Sequence, residues 1–434
     1  MLLIPVILLF YFLLQNRNKK NTIFYFSSIW MVSIFPISIG LINYEYFKNT
    51  LNYSLTLSFF LLAFIMGAQS NKKTINSINL TEKFNYSEFK RCLPWAKFAM
   101  VISIVGTGCL VIDYFTYSSG LSDIASLRED YIYRNASTYA KIASVMTWAS
   151  LYCFAFSLIN YRFMNKLQFI WYFVPMIGFF LVSLLSAGRQ TVFQILIFTL
   201  FIVNDNITNK NKNSESYFLK YVIIILSLTY MGYIATFRND GIISTEKSEV
   251  ITLLFNIKFQ EYFEYFLTLL SASLRDTIVE FIAYFTSPIA LLSVFLEIDF
   301  PKHTYGAMSL PFIFRQIEPI TGISVIDSLT GKGDLLTESG VIGVGWTTGI
   351  SSYLMDFGFI PTIAILFLQG RYTELAKKNY IAYGGFHRKI ISTTMLTSAI
   401  YMPLLAPSSD NNLLFLLFFS IMALYFEKFS LRNN

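Results

Sequence analysis

Long apolar runs alternate with short polar segments along most of the chain. A helix needs about 20 apolar residues to cross a hydrocarbon core roughly 30 Å thick. Backbone polar groups in lipid must be hydrogen-bonded within the protein, so apolar runs of this length are predicted to be helices. The pattern predicts about eleven transmembrane helices, over residues 1–15, 22–42, 54–70, 95–115, 139–160, 168–186, 190–204, 218–236, 352–370, 390–407 and 412–427.

Two apolar parts of the segment 238–351 have a different pattern. Residues 249–273 mix phenylalanine and leucine with charged residues, which predicts an amphipathic helix lying in the membrane interface. Residues 277–297 are apolar for nearly a full span, yet they contain Glu280 and Pro288. A span here would reverse the side of every later loop, so the prediction is a membrane-dipping or interfacial segment.

Lysine and arginine collect in alternate loops, and this asymmetry predicts the orientation. Loops rich in these residues face the cytoplasm, which places the amino terminus outside and the carboxyl terminus inside. The sequence therefore predicts an all-α polytopic membrane protein in three parts: an amino-terminal bundle (1–237), a large outer loop with interfacial or re-entrant helices (238–351) and carboxyl-terminal helices (352–434).

Composition supports this class, since 55% of the residues are hydrophobic and only 14% are charged. The net charge of +7 comes from residues that border predicted helices, so orientation explains it better than nucleic-acid binding. Cys92, Cys109 and Cys153 lie within or beside apolar runs, and no disulfide framework is predicted. The inner loops contain no Walker loop, dinucleotide fingerprint or Cys/His metal spacing, which argues against a nucleotide-driven protein.

Two arginines stand at the predicted outer surface of the membrane. Arg189 lies in a turn of small residues between two spans, and Arg238 follows the eighth span. A guanidinium group can bind phosphate oxygens through two parallel hydrogen bonds. The alternatives are that Arg189 snorkels or forms a packing salt bridge, and that Arg238 anchors the interface while paired with Asp240.

The outer loop also contains one of the two histidines of the chain, within the Gly- and Pro-punctuated stretch 299–319. His303 can accept a proton near neutral pH, and Tyr305 and Arg315 follow it. The alternative is an ordinary surface histidine. The second histidine, His387, lies in a predicted cytoplasmic basic loop and is expected at the surface.

Three further arginines belong to the outer set. Arg128 and Arg134 stand among tyrosines and carboxylates, which line sugar sites, although an aromatic belt with solvated charges is the favoured interpretation. Arg275 precedes the dipping segment, and its alternative is a local pair with Asp276 or a helix cap. Several arginines on one leaflet, with a histidine and many tyrosines, indicate a site for a lipid-linked polyanion that bears sugars. Their guanidinium groups would stabilise a pyrophosphate as the leaving group.

The chain resembles the Wzy-type O-antigen polymerases, also called oligosaccharide repeat-unit polymerases. The resemblance lies in the number of spans, the large outer loop late in the sequence, the Ala187-Gly188-Arg189 turn, Arg238 at the head of the loop, and the stretch from Tyr305 through Arg315 to Pro319. One departure concerns the arginine-to-glycine spacing of some members' two outer loops. That spacing is not visible around Arg128, Arg134, Arg238 or Arg275.

The resemblance implies an enzyme of the bacterial inner membrane that polymerises undecaprenyl-pyrophosphate-linked repeat units at the periplasmic face, for O-antigen or a related polysaccharide. It implies no cofactor, no metal and no nucleic acid. The implied partners are the lipid-linked oligosaccharide, the bilayer, a chain-length regulator and a flippase. The resulting hypothesis is that Arg189, Arg238 and Arg315 bind the pyrophosphate. His303, or a nearby carboxylate such as Glu318, then deprotonates the acceptor hydroxyl.

Two other functions fit a similar topology. An O-antigen ligase would use the same chemistry but transfer the glycan onto lipid A core. A lipid-linked oligosaccharide flippase or another transporter would show inverted repeats and broken helices near the midplane, and the two halves of this sequence show no such pairing.

Overall fold

The computed structural model describes residues 2–17, 21–48, 50–70, 86–117, 137–176, 189–204, 252, 256–297, 303–323, 327, 331, 334, 336–337, 347–406 and 410–433. In chain order its elements are α1 (Leu3–Asn16), α2 (Thr22–Ser38), β1 (Ile42–Tyr44), α3 (Leu51–Gln69), α4 (Tyr86–Tyr117), α5 (Thr138–Met146), α6 (Trp148–Asn160), a 3₁₀ turn (Tyr161–Phe163), α7 (Lys166–Phe173), α8 (Arg189–Asn204), β2 (Ile257–Phe259), α9 (Glu261–Thr268), α10 (Ala272–Phe295), α11 (Pro311–Thr321), α12 (Gly349–Phe357), α13 (Phe359–Tyr383), α14 (Phe386–Tyr401) and α15 (Asn411–Asn433). The prediction of a mainly helical protein is confirmed.

The chain forms two compact units, each assembled from three separate stretches of sequence. Unit 1 comprises Met1–Lys73, Ile242–Leu375 and Ser398–Asp410, and unit 2 comprises Thr74–Gly241, Ala376–Thr397 and Asn411–Asn434. The predicted parts 1–237 and 352–434 therefore each contribute residues to both units. Residues far apart in sequence can for this reason meet within one unit.

The core of unit 1 is built from apolar faces of helices that are far apart in the sequence. Phe26 of α2 stacks on Phe64 of α3 with 3.9 Å between ring centroids, and Trp30 is fully buried beside them. The antiparallel strands β1 and β2 pair across this unit with Ile42 opposite Phe259. The buried hydroxyl of Tyr44 is joined to this core as well, lying 2.5 Å from Thr286 Oγ1 of α10.

The core of unit 2 is rich in aromatic side chains. Tyr152 of α6 meets the Phe386 ring of α14 edge to face at 5.3 Å between centroids, and Phe156 meets the same ring at 5.4 Å. α4 and α5 cross closely at Gly106, where a Cβ atom would lie only 2.7 Å from Met146 Cβ. Interdigitated rings and close helix crossings of this kind hold the helices in one arrangement.

Four helical stretches of the described chain are long and apolar enough to cross a membrane: Leu51–Gln69, Tyr86–Asp113, Thr138–Phe163 and Leu274–Phe295. Shorter apolar helices cover Leu3–Asn16, Thr22–Ser38, Gln194–Val203 and Asn411–Glu427. These helices support a membrane protein, whereas the number of spans and their orientation stay predictions. The predicted span 218–236 lies outside the described residues.

The two apolar segments of the predicted outer loop have different outcomes. Residues 249–273 do not form one amphipathic helix, because Asn256 has a positive φ of 50° and β2 follows it before the short helix α9 begins. The pairing of β2 with the distant β1 determines this conformation. Residues 277–297 lie almost entirely in α10, which continues through Pro288. In the most apolar stretch of 18 residues in this helix, 78% of the residues are buried inside the protein. This helix is long enough to cross a membrane, so its dipping or interfacial placement stays a prediction.

Candidate functional site

The predicted span 352–370 is interrupted in the structure, and the candidate site lies at the interruption. α12 ends at Phe357 and α13 begins at Phe359, with Gly358 between them at φ +77°. An L-residue rarely adopts this conformation, so the glycine permits the break. The prediction of a single helix was wrong because the positive-φ conformation of Gly358 divides an otherwise apolar run.

Asp356, in the last turn of α12, holds the turn of residues 304–309, which belongs to the Gly- and Pro-rich stretch 299–319 of the predicted outer loop. Its carboxylate is fully buried and accepts hydrogen bonds from Thr304 Oγ1 at 2.5 Å, Met308 N at 3.0 Å and Ser309 N at 2.7 Å. The backbone N–H of Tyr305 also donates to the Asp356 carbonyl at 3.2 Å. A buried carboxylate needs such donors to offset the loss of water. Asp356 therefore holds residues 304–309 against the end of α12.

Backbone conformation in this turn is equally specific. Tyr305 has φ +47° and Gly306 has φ +108°. A Cβ atom at Gly306 would lie 2.6 Å from Phe314 Cε2, so glycine is required both by conformation and by space. Phe314 belongs to α11, and its ring contact joins this helix to the turn.

The turn presents an imidazole and a phenol on an open surface. His303 and Tyr305 are both exposed, and their rings meet edge to face at 6.5 Å between centroids. The His303 ring also lies over Gly358, where an added Cβ would be 3.1 Å from Cε1. Sequence reasoning placed these two residues in one site, and the structure brings them together.

α11 follows the turn directly and contains two more predicted residues. Arg315 is exposed, and Glu318, which follows it by three residues on the helix, is half-buried. Residues three apart lie on neighbouring positions of one helix face. A solvent-open imidazole, a phenol and a guanidinium group within one short stretch could bind a sugar phosphate and accept a proton.

The other predicted site residues are placed only in part. Arg275 lies in the first turn of α10, half-buried, and its Nε has no hydrogen-bond partner among the described residues. Arg189 begins α8, but its side chain is outside the described set. Arg128, Arg134 and Arg238 lie outside the described residues altogether. Convergence of these arginines on one diphosphate therefore stays a prediction.

One functional candidate was not identified from the sequence, and another was predicted at the wrong place. Asp356 was missed, although a carboxylate inside a predicted apolar span is itself a signal of function or of a buried polar contact. His387 was expected on a surface loop, and this is wrong, since only 1% of it is exposed. Lys389, two residues later, is also fully buried and donates to the Phe201 carbonyl at 3.3 Å.

Comparisons with known proteins identify no family for this chain. No family model, curated protein or solved structure matches it. Any assignment of function therefore depends on the residues of the chain itself.

Proposed function

We propose that this chain polymerises undecaprenyl-pyrophosphate-linked oligosaccharide repeat units at the periplasmic face of the bacterial inner membrane. The proposal joins the sequence resemblance to the Wzy-type polymerases with the arrangement of the outer motif. The single observation that supports it best is the turn anchored by Asp356. This turn puts His303 and Tyr305 on one exposed surface and leads directly into the helix of Arg315.

The proposed reaction is a glycosyl transfer. A hydroxyl oxygen of the incoming repeat unit forms a bond to the anomeric carbon of the growing chain, and the bond from that carbon to the diphosphate oxygen breaks. The electron pair of the broken bond leaves on undecaprenyl pyrophosphate. The proton of the attacking hydroxyl passes to a base, for which His303 is proposed because its imidazole ring is exposed and histidine is the most common general base in enzymes.

Arg315 and Tyr305 have supporting roles in the proposal. The exposed guanidinium of Arg315 would bind the diphosphate through charge-assisted hydrogen bonds and neutralise the charge that grows on the leaving group. The ring of Tyr305, which is 64% exposed, offers a flat apolar face to a sugar. Glu318 is the alternative base. Arg189 and Arg238 remain phosphate-binding candidates from the sequence alone.

The direct cellular test replaces His303 and Arg315 singly by alanine in a strain that displays its polymer on the surface. Loss of a base or of a leaving-group cation is expected to lower the rate by about 10²-fold or more. The expected gel pattern is therefore surface glycan with a single repeat in place of a ladder, with the protein still inserted in the membrane. Arg189→Ala and Arg238→Ala are expected to give the same pattern.

Arg162→Ala and Tyr265→Ala serve as matched controls, because both residues are exposed and lie outside the proposed site. Both control variants should keep the normal ladder. Complete absence of capped core would instead assign the chain as a ligase, since a cell without its ligase attaches no repeat at all. Normal ladders from both His303→Ala and Arg315→Ala would overturn the assigned residues.

A further inference from the structure

A second cluster of ionisable side chains lies in unit 2, independent of the proposed enzymatic site. Cys92 of α4, His387 of α14 and Glu427 of α15 place one ligand atom each within 4.8 Å of one another. Cys92 and His387 are each 1% exposed. The Glu427 side chain is 13% exposed. Three different helices therefore contribute a thiol, an imidazole and a carboxylate to one buried point.

The surrounding contacts fix the direction of these side chains. Glu88, one helical turn before Cys92 on α4, accepts the backbone N–H of Phe386 at 2.5 Å and so holds the start of α14. The hydroxyl of Tyr152 lies 2.6 Å from His387 Nε2 and meets the ring from the side opposite to Glu427. The Tyr152 contact holds Nε2, so that Nδ1 of the His387 ring lies on the side of Glu427.

His387 Nδ1 is the unusual atom of the group. It lies 3.2 Å from Glu427 Oε1, yet it has no hydrogen-bond partner among the described residues. When Nε2 carries the proton and donates it to the Tyr152 hydroxyl, Nδ1 keeps a lone pair directed at the carboxylate and the thiol. Metal-binding histidines have this arrangement, in which the second ring nitrogen donates a hydrogen bond that fixes the tautomer.

We propose that Cys92, His387 and Glu427 bind a divalent transition-metal ion, zinc in particular. Cysteine, histidine and glutamate are all zinc ligands, and atoms held at 2.0–2.3 Å from a tetrahedral zinc lie roughly 3.3–3.7 Å from one another. The separations here are 3.2 Å between His387 Nδ1 and Glu427 Oε1, and 3.6 Å between Cys92 Sγ and Glu427 Oε1. The bound ion would join α4, α14 and α15 at one point.

Binding would release the thiol proton of Cys92, because the thiolate is the form that coordinates the metal. The negative charges of the Cys92 thiolate and the Glu427 carboxylate would then offset the two positive charges of the ion. Without a metal, the thiol of Cys92 donates a hydrogen bond to Glu427 Oε1 at 3.6 Å. The two alternatives differ in whether Cys92 is a thiol that donates to Glu427 or a thiolate that binds the ion.

The test uses the full chain purified in detergent without chelators. Zinc content is measured by mass spectrometry, and Co²⁺ is titrated into the metal-free protein as an optical probe. About one equivalent of zinc per chain is expected, together with the charge-transfer absorption of a cobalt–thiolate bond. Cys92→Ser and His387→Ala should abolish binding, whereas the matched variant Cys109→Ser, at a cysteine outside the cluster, should bind as the wild type does.

Tyr152→Phe keeps all three ligands and removes only the hydroxyl that orients His387. It should weaken zinc binding by about 10- to 100-fold. This variant and the wild-type cobalt spectrum test the proposed zinc site even when a ligand variant fails to fold. A wild-type protein that binds less than a tenth of an equivalent, or that gives no cobalt–thiolate absorption, overturns the proposal. Equal binding by the wild type, Cys92→Ser and His387→Ala also overturns it.

Discussion

Asp356 organises the turn of residues 304–309 by accepting hydrogen bonds from donors that would otherwise have no partner there. Two of its three donors are backbone N–H groups, of Met308 and Ser309, which point at separate carboxylate oxygens. The third donor, the Thr304 hydroxyl, shares an oxygen with Met308. This pattern requires a hydrogen-bond acceptor at both terminal atoms of the side chain, which a carboxylate provides. The ionised carboxylate of Asp356 therefore has a structural role beside the exposed His303.

Asp356→Asn tests this role. The NH₂ group of the new side chain would replace one carboxylate oxygen and would face at least one of the donors that this oxygen accepts from. We expect a loss of about 1–3 kcal/mol in stability from an unsatisfied buried group. The turn 303–310 should also become sensitive to limited proteolysis. Thermal unfolding in detergent and digestion measure the two effects. Asp334→Asn, at an exposed carboxylate, is the matched control, and equal behaviour of the two variants would contradict the role of Asp356.

Single residues show where sequence reasoning succeeds and where it fails. His303, Tyr305 and Arg315 were found together because they are close in sequence and stand in a stretch rich in glycine and proline. Cys92 and Glu427 could not be paired in this way, since 335 positions separate them. The proposed zinc site also departs from the expectation of no metal, which rested on the family resemblance and on the lack of a Cys/His metal spacing in the inner loops.

A close helix contact in unit 1 joins α3 and α13 through reciprocal glycines. A Cβ atom at Gly67 would lie 1.9 Å from the Phe367 carbonyl oxygen, and one at Gly370 would lie 2.0 Å from the Phe64 carbonyl oxygen. Both clashes involve backbone atoms, which cannot rotate away. Small residues that let two backbones approach are a common means of association for apolar helices.

Gly67→Ala and Gly370→Ala are each expected to destabilise the protein by about 1–3 kcal/mol, because the helices must move apart to admit a methyl group. The double variant should lose less stability than the sum of the two single variants, because one separation of the helices makes room for both methyl groups. Gly108→Ala, at a helical glycine with no neighbour within 4 Å of its Cβ position, is the matched control and should be neutral or stabilising. Thermal unfolding measures the stability of each variant. Alanine variants of Gly67 and Gly370 that are as stable as Gly108→Ala would contradict the close contact.

At the level of elements, hydrophobic periodicity located the helices better than it located their ends. The run predicted as 95–115 forms part of the longer helix Tyr86–Tyr117, because polar residues can extend a helix beyond an apolar span. The segment 352–370 was predicted as one helix, yet Gly358 divides it. The strand β2 was not predicted, because its partner β1 lies more than 200 residues earlier and periodicity reports only local order.

At the scale of the whole molecule, the two units interleave along the chain. Unit 1 takes the first helices, most of the predicted outer loop and part of the carboxyl-terminal region. Unit 2 takes the two segments between them and the last stretch, Asn411–Asn434. Local patterns predicted the membrane class and the helical content. They could not predict which helices pack together, because that choice depends on contacts such as Phe26 with Phe64 or Tyr152 with Phe386.

The central claim is that the chain itself elongates a lipid-linked glycan. The most direct measurement incubates the purified protein in lipid vesicles with undecaprenyl-pyrophosphate-linked repeat units and follows product length by gel electrophoresis and mass spectrometry. The account predicts products of two or more repeats with release of undecaprenyl pyrophosphate. It also predicts no elongation by His303→Ala or Arg315→Ala, and normal elongation by Arg162→Ala. A folded wild-type protein that leaves every lipid-linked repeat unit at its starting length would contradict the account.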